Sequence, residues 1–233
     1  MKNDKKASVI TIDGPSGTGK GTVCHLLAKH LNWNILDSGV IYRVLAYAAA
    51  KNNISSNDVG KLVELAEKMD LQFQLKKDSQ IVLLDGEDVS KQIRTEACGQ
   101  QASAIAALPE VRKVLLQRQR SFAKSPGLVT DGRDMGTVVF PDAILKFFLY
   151  ATEQERARRR YLQLKDRGNN VSLAEVVDEL VKRDERDTSR IHSPLKPASD
   201  AIIIDTTELN ITQVFNNVLK LVEERLNYSK LLN

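Results

Sequence analysis

The chain has 233 residues, 42% of them hydrophobic and 27% charged, a composition that suits a globular protein able to bury about 70% of its unfolded surface. No apolar run approaches the roughly 20 residues needed to span a bilayer, and "MKNDKKAS" leads into a strand without an apolar signal region, so no membrane is expected and the cytoplasm is the default location. The net charge of +4 and pI near 9.0 would suit a polyanion, but between Thr152 and Arg190 the bases are interleaved with almost as many acids, which favours small anionic ligands over nucleic acid.

In chain order, "SVITID" (Ser8 to Asp13) is a short apolar strand. "KGTVCHLLAKHL" (Lys20 to Leu31) carries Val23, Leu26, Leu27 and Leu31 at helical spacing, so strand, glycine loop and helix open a βα unit. "NILDSG" (Asn34 to Gly39) reads as a second strand and Gly39 to Ala50 as a mostly buried helix. Ser55 to Asp58 offers an N-cap for a helix running to about Lys68. The period then changes to 2: "LQFQL" and "QIVLL" are strands, "KKDS" is turn material, and Asp85-Gly86 is a turn dipeptide before "EDVSKQI". Helices are predicted from about Glu96 to Ala107 and, behind Pro109, to Lys124.

"GLVTD" (Gly127 to Asp131), "AILKFFLY" (Ala143 to Tyr150) and "AIIID" (Ala201 to Asp205) complete five short buried strands that alternate with helices, the last helix starting near Asn210. This predicts a three-layer α/β/α fold with a five-stranded parallel sheet and a small inserted antiparallel sheet. A single unit of 1–233 is expected, with a core (about 1–37, 109–151 and 191–233), a lobe carrying the insert (about 38–108), and a short segment with its following helix (about 152–190). It is expected to fold alone, as a monomer. Ligands gather at the carboxyl ends of parallel strands, here Asp13-Gly14, Asp37-Ser38, Asp131 with "GRD", Tyr150 and Asp205-Thr206.

"DGPSGTGKGT" follows the first strand. Gly14, Gly17 and Gly19 let backbone amides converge on phosphate oxygens, with Pro15, Ser16 and Thr18 between them. The following helix adds its positive end, and Lys20 supplies a charge near the transferred group. The usual phosphate loop places a hydroxyl after the lysine, where this chain has Gly21; Thr22 or water must help hold a metal instead. The form GxxGxGKGT occurs in many nucleoside monophosphate kinases, and the guanine-reading NKxD of GTPases is missing from the chain. Cys24 and Cys98 have no partner at metal or disulfide spacing, nor do His25, His30 and His192.

Taken in order, "LDSGVIYR" (Leu36 to Arg43), "EDVSKQIRTE" (Glu87 to Glu96), "DGRDMGTVVFPDA" (Asp131 to Ala143) and "KRDERDTSR" (Lys182 to Arg190) resemble bacterial cytidylate kinases over roughly Ser8 to Leu226. The resemblance implies a Mg²⁺-dependent transfer from ATP to CMP or dCMP. It implies that Ser38, Tyr42, Arg43 and Arg133 hold the acceptor phosphate, that Ser103, Arg112 and Asp134 surround cytosine, and that Arg183, Asp187 and Arg190 meet the sugar. Asp131 would act on the metal's water shell. "ERARRR" (Glu155 to Arg160) becomes the lid, with Arg156, Arg159 and Arg160 on one helical face closing over ATP.

Each residue also has a plainer reading. Arg43 could be a surface helix arginine, Arg133 and Asp134 a mutual salt bridge, the arginine run a solvated face. Arg183, Asp187 and Arg190, at i, i+4 and i+7, could form a self-satisfied ladder. The rival functions are another small-molecule kinase, for UMP or a non-nucleotide acceptor, and a non-enzymatic ATP-dependent switch.

Overall fold

The structure is a computed structural model that describes residues 7–76, 79–166 and 168–231. The chain opens with β1 (Val9–Asp13), α1 (Lys20–Leu31), β2 (Asn34–Asp37), α2 (Ser38–Lys51) and α3 (Val59–Lys68). Then come β3 (Leu71–Lys76), β4 (Ser79–Leu84), β5 (Glu87–Asp88), a 3₁₀ turn at Gln92–Arg94, α4 (Glu96–Ile105) and α5 (Pro109–Arg120). The remainder is β6 (Leu128–Gly132), a wide π turn at Met135–Val139, β7 (Leu145–Tyr150), α6 (Glu153–Asp166), α7 (Leu173–Ser189), β8 (Ile202–Asp205) and α8 (Ile211–Leu231). The turn expected at Lys77 and Asp78 lies outside the described residues.

Five strands form one sheet in the order β2-β6-β1-β7-β8, and β3-β4-β5 form a separate antiparallel sheet. This is the parallel α/β fold with an inserted sheet that the alternation of periods predicts. β1 is central and buried at every position, because both of its faces are covered and both edges are paired in parallel. Its register sets Asp13 opposite Gly132 on β6 and Phe148 on β7, so the loops after β1 and β6 leave the sheet at the same end.

Two compact units are present: Met1–Leu36 with Ser121–Asn233, and Asp37–Arg120. In the first, Ile10, Ile12, Val23, Leu27, Val129, Phe147, Val218 and Val222 form the core between sheet and helices. A smaller cluster of Ala157, Leu164, Val176 and Leu180 fastens α6 to α7. In the second, α2 packs on α3 and α4, and α3 packs on α5; α5, which the sequence reading assigned to the core, therefore belongs with the lobe.

Two boundary differences have local reasons. β2 stops at Asp37 because the Asp37 carboxylate accepts from the Val40 amide at 3.2 Å, capping α2. α5 ends at Arg120 rather than Lys124, since the segment after it is held as the approach to β6. There the Asn34 side-chain amide donates to the carbonyls of Lys124 and Gly127, and a β-carbon at Gly127 would sit 2.4 Å from the Trp33 ring. "MGTVV" forms a π turn, because the Met135 and Gly136 amides both turn toward Asp13. Ser172 caps α7 in a capping box with Glu175.

Candidate active site

The loop Gly14, Pro15, Ser16, Gly17, Thr18, Gly19, Lys20, Gly21 and Thr22 joins the buried end of β1 to the first turn of α1. Glycine is required at position 14, where φ is +148° and a β-carbon would lie 2.1 Å from the Leu149 carbonyl of β7. Along the loop the carbonyls are taken up by side chains. Pro15 accepts from Lys20 Nζ at 3.0 Å and from the Thr18 hydroxyl at 3.1 Å. Ser16 accepts from Arg156 Nη1 at 3.1 Å, and Thr18 from the Thr206 hydroxyl at 3.2 Å. The Thr22 amide turns into α1, donating to the Gly19 carbonyl at 3.1 Å, and the positive end of that helix faces the loop, where an anion is favoured.

Across from this loop, a β-carbon at Gly21 would stand 3.8 Å from Asp131 Oδ2, and Asp131 is buried at the end of β6. Thr22 is exposed. Asp13 is held by the Met135 and Gly136 amides at 2.9 and 2.8 Å, and burial nevertheless pushes its carboxyl up to about 6. The folded state therefore keeps a proton on Asp13 that the unfolded chain releases near its ordinary 3.8. The stability this proton carries is present below that value and is lost as pH rises to about 6, which amounts to roughly 3 kcal/mol. An Asp13→Asn variant should flatten that part of the stability–pH curve; an unchanged slope in urea unfolding between pH 4 and 7 would contradict it.

Beyond β6, Arg133 Nε donates to Asp187 Oδ2 at 2.6 Å, and Arg190 binds the other oxygen of the same carboxylate. Asp187 is 2% exposed. Burial alone would raise its pKa, but Arg133, Arg190 and Arg183 together hold the carboxyl below the usual carboxylate range. One plainer reading changes here: Arg133 pairs with Asp187 rather than forming a private bridge with Asp134. The other holds in part: Asp187 pairs with Arg190, the C-cap of α7, and feels the charge of Arg183, but Arg133 joins them from outside the helix.

The arginines of "ERARRR" separate by their contacts. Arg156 is buried: it donates to the Ala151 and Ser16 carbonyls and pairs with Asp184 at 2.6 Å, so it lies against the loop instead of facing outward. Arg159 reaches the carbonyls of Thr206, Thr207 and Leu209 and pairs with Glu155. Hydrogen bonds from Arg158 and Arg159 hold the Glu155 carboxyl down to about 2. Arg160 donates to Gln163 at 2.6 Å. A pocket of about 390 Å³ opens beside Thr18 and Gly19, walled by Arg158, Arg159, Thr207 and Asn210.

In the second unit, Arg43 Nη1 donates to the carbonyls of Ile93 and Thr95 at 2.8 and 3.1 Å, bracing the turn that leads into α4. The Arg112 guanidinium lies 5.7 Å above the centre of the Tyr42 ring. Behind it, Gln119 donates to the Tyr42 hydroxyl at 3.4 Å. Ser38 and Ser103 are both 4% exposed, and the Ser103 hydroxyl has no hydrogen-bond partner among the described residues. A buried hydroxyl left this way suits a ligand that completes it.

A family model described as Cytidylate kinase matches residues 10–224. The chain belongs to the cytidylate kinase family. Among curated relatives, the cytidylate kinase of Stutzerimonas stutzeri is 56% identical over 223 residues, covering 95% of this chain and 97% of the relative. That of Pseudomonas fluorescens is 57% identical over 215 residues, covering 91% and 94%. That of Aeromonas salmonicida is 53% identical over 220 residues, covering 94% and 96%.

Several residues that shape the site of this cytidylate kinase family member escaped sequence reasoning. Thr206 and Asp13 were visible only as strand ends, although both hold backbone that frames the loop. Glu155 and Asp184, which pair with Arg159 and Arg156, read as ordinary acids in a charged run. Gln119 carries no sequence signal; only its burial to 1% marks it. No described helix is long and apolar enough to cross a membrane, and no group of metal-binding side chains occurs among the described residues.

Proposed function

We propose that the protein transfers the γ-phosphoryl group of ATP to CMP or dCMP, giving ADP and CDP or dCDP, in line and without a covalent intermediate. The observation that carries this is a phosphate loop with its carbonyls tied back, in a chain whose cytidylate kinase match extends over residues 10–224. Positioning and charge neutralisation are the chemistry such a site can supply.

On the donor side, the amides of Gly14 to Thr22 and the Lys20 ammonium receive the phosphates. The pocket adjoining Thr18 and Gly19 takes the nucleoside, between Arg158 and the segment after β8. Arg159 and Arg160 stand at the lid; Arg156 acts from behind the loop. Asp131 fits a hydrated Mg²⁺, because Gly21 leaves space in front of its carboxylate, and Thr22 would add a water contact. When bound, that ion would neutralise charge on the phosphate oxygens.

On the acceptor side, Ser38, Tyr42, Arg43 and Arg133 receive the phosphate. Ser103, Arg112 and Asp134 read cytosine, whose amine, ring nitrogen and carbonyl call for one acceptor and two donors; uracil reverses the first two and keeps the carbonyl. Arg183, Asp187 and Arg190 receive the sugar. The proposal includes a cytoplasmic monomer with no nucleic-acid partner.

A coupled ADP-release assay with ATP and CMP, dCMP, UMP, AMP, GMP and shikimate tests the reading. Turnover should be greatest with CMP or dCMP, and a preference for shikimate or AMP would overturn it. Asp134→Asn and Arg112→Met should each erode the CMP over UMP ratio of kcat/KM by roughly 1 to 3 kcal/mol, the cost of an unpaired buried polar group. A ratio unchanged in both variants would move base recognition elsewhere.

A further inference from the structure

Among Arg156, Arg158, Arg159 and Arg160, Arg156 alone is buried, and its surroundings carry an inference about α7. Its side chain is 7% exposed, beside an Asp184 side chain that is 21% exposed, and Nη1 reaches both Asp184 Oδ2 at 2.6 Å and the Ser16 carbonyl at 3.1 Å. A buried guanidinium needs a countercharge as well as carbonyl acceptors, since carbonyls alone leave a net charge out of water. Glu155, the adjacent acid, is already committed to Arg158 and Arg159.

The loop cannot shift independently of this arginine. A β-carbon at Gly17 would stand 2.9 Å from both Arg156 Cβ and the Arg156 carbonyl, so loop backbone and α6 are in direct contact there. The apolar cluster that includes Ala157 and Leu180 locks α6 to α7; Ala157 follows Arg156, and Leu180 lies one turn before Asp184. Register between these two helices therefore places the carboxylate where the guanidinium needs it.

We propose that Asp184 is a positioning residue for the phosphate donor: it fixes Arg156, and through Arg156 the Ser16 carbonyl, so that α7 sets the shape of the loop. The proposal rests on the reading of Gly14 to Thr22 as the ATP-binding segment. Asp184 itself touches no reacting atom.

The test is calorimetric titration of the full chain with ATP and, separately, with CMP, for the wild type, Asp184→Asn, Asp184→Glu, Arg156→Met and the double variant Asp184→Asn/Arg156→Met. Melting curves identify the variants that remain folded. Asp184→Asn should weaken ATP about tenfold, the scale of one charge-assisted hydrogen bond, and should change CMP affinity less than about threefold. Asp184→Glu should retain most of the ATP affinity. The double variant should bind ATP no more weakly than Arg156→Met alone, because the carboxylate acts through the guanidinium.

Equal weakening of ATP and CMP would reduce Asp184 to a general structural role and overturn the proposal, as would unaltered ATP affinity or losses that multiply in the double variant. If Asp184→Asn fails to fold, Asp184→Glu against Arg156→Met decides by the same ATP-to-CMP comparison. A wild type that phosphorylates CMP from ATP while its variants show no ATP-specific loss leaves the proposed function standing and removes only this inference. A wild type that does not bind ATP removes both.

Discussion

Lys20→Ala is expected to lower turnover on the order of a thousandfold while leaving the fold intact, the scale seen when a group aimed at transition-state charge is deleted. Lys20 opens α1, is 8% exposed, and rests its ammonium on the Pro15 carbonyl at 3.0 Å. That carbonyl also accepts from the Thr18 hydroxyl, so removing the lysine does not strand it. What is lost is a positive charge held at the positive end of a helix, in a loop whose other groups are neutral amides. Single-turnover phosphoryl transfer at saturating ATP and CMP, with circular dichroism as the fold control, gives the answer. A folded variant with near-normal turnover would remove the loop from the chemistry.

Asp187→Ala should have the largest effect on stability, roughly 3 to 5 kcal/mol, because it leaves two buried guanidinium groups without their shared carboxylate. Arg133 and Arg190 both bind Asp187, and their side chains are 13% and 6% exposed. Against a typical total of about 5 to 15 kcal/mol, such a loss is severe. The pH dependence has a definite sign. The folded state holds this carboxyl below its ordinary 3.8, so its contribution is complete above that value and fades as pH falls through the lower folded-state pKa. Urea unfolding at pH 7 and near pH 3 should show wild type and variant far apart at the first and closer at the second. Equal stabilities at pH 7 would deny the cluster its structural role. In kinetics, the variant should impair CMP and dCMP by unequal factors, since the two acceptors differ only at the 2′ position; equal losses would leave Asp187 as scaffold.

Where the structure follows the sequence, the determinants are local. The glycine loop between an apolar strand and an amphipathic helix, the change from period 3.6 to 2 around Leu71, and the cap at Asp58 each depend on residues a few positions apart. What escaped depends on distance in the chain. Arg133 and Asp187 are 54 positions apart, Arg156 and Ser16 140, and Thr206 and Thr18 188. No helical spacing could have distinguished buried Arg156 from exposed Arg158 in "ERARRR", because the choice is made by the loop lying against α6. The strand end at "NILDSG" was misjudged for a different reason: Asp37 serves as a helix cap, and side-chain capping competes with strand extension over a residue or two.

The tied-back carbonyls of Pro15, Ser16 and Thr18 have a consequence for how the protein can evolve. Gly14 and Gly17 sit at φ values of +148° and +84°, and glycine costs roughly 0.5 to 1 kcal/mol in lost chain entropy compared with alanine. Folding bears that ordering cost in advance, so a nucleotide meets a loop that is already shaped. Substitutions selected only for heat resistance should therefore accumulate readily on the outer surfaces of α3, α5 and α8 but be refused between residues 14 and 22, where greater rigidity of the unfolded chain would come at the expense of the anion-binding geometry.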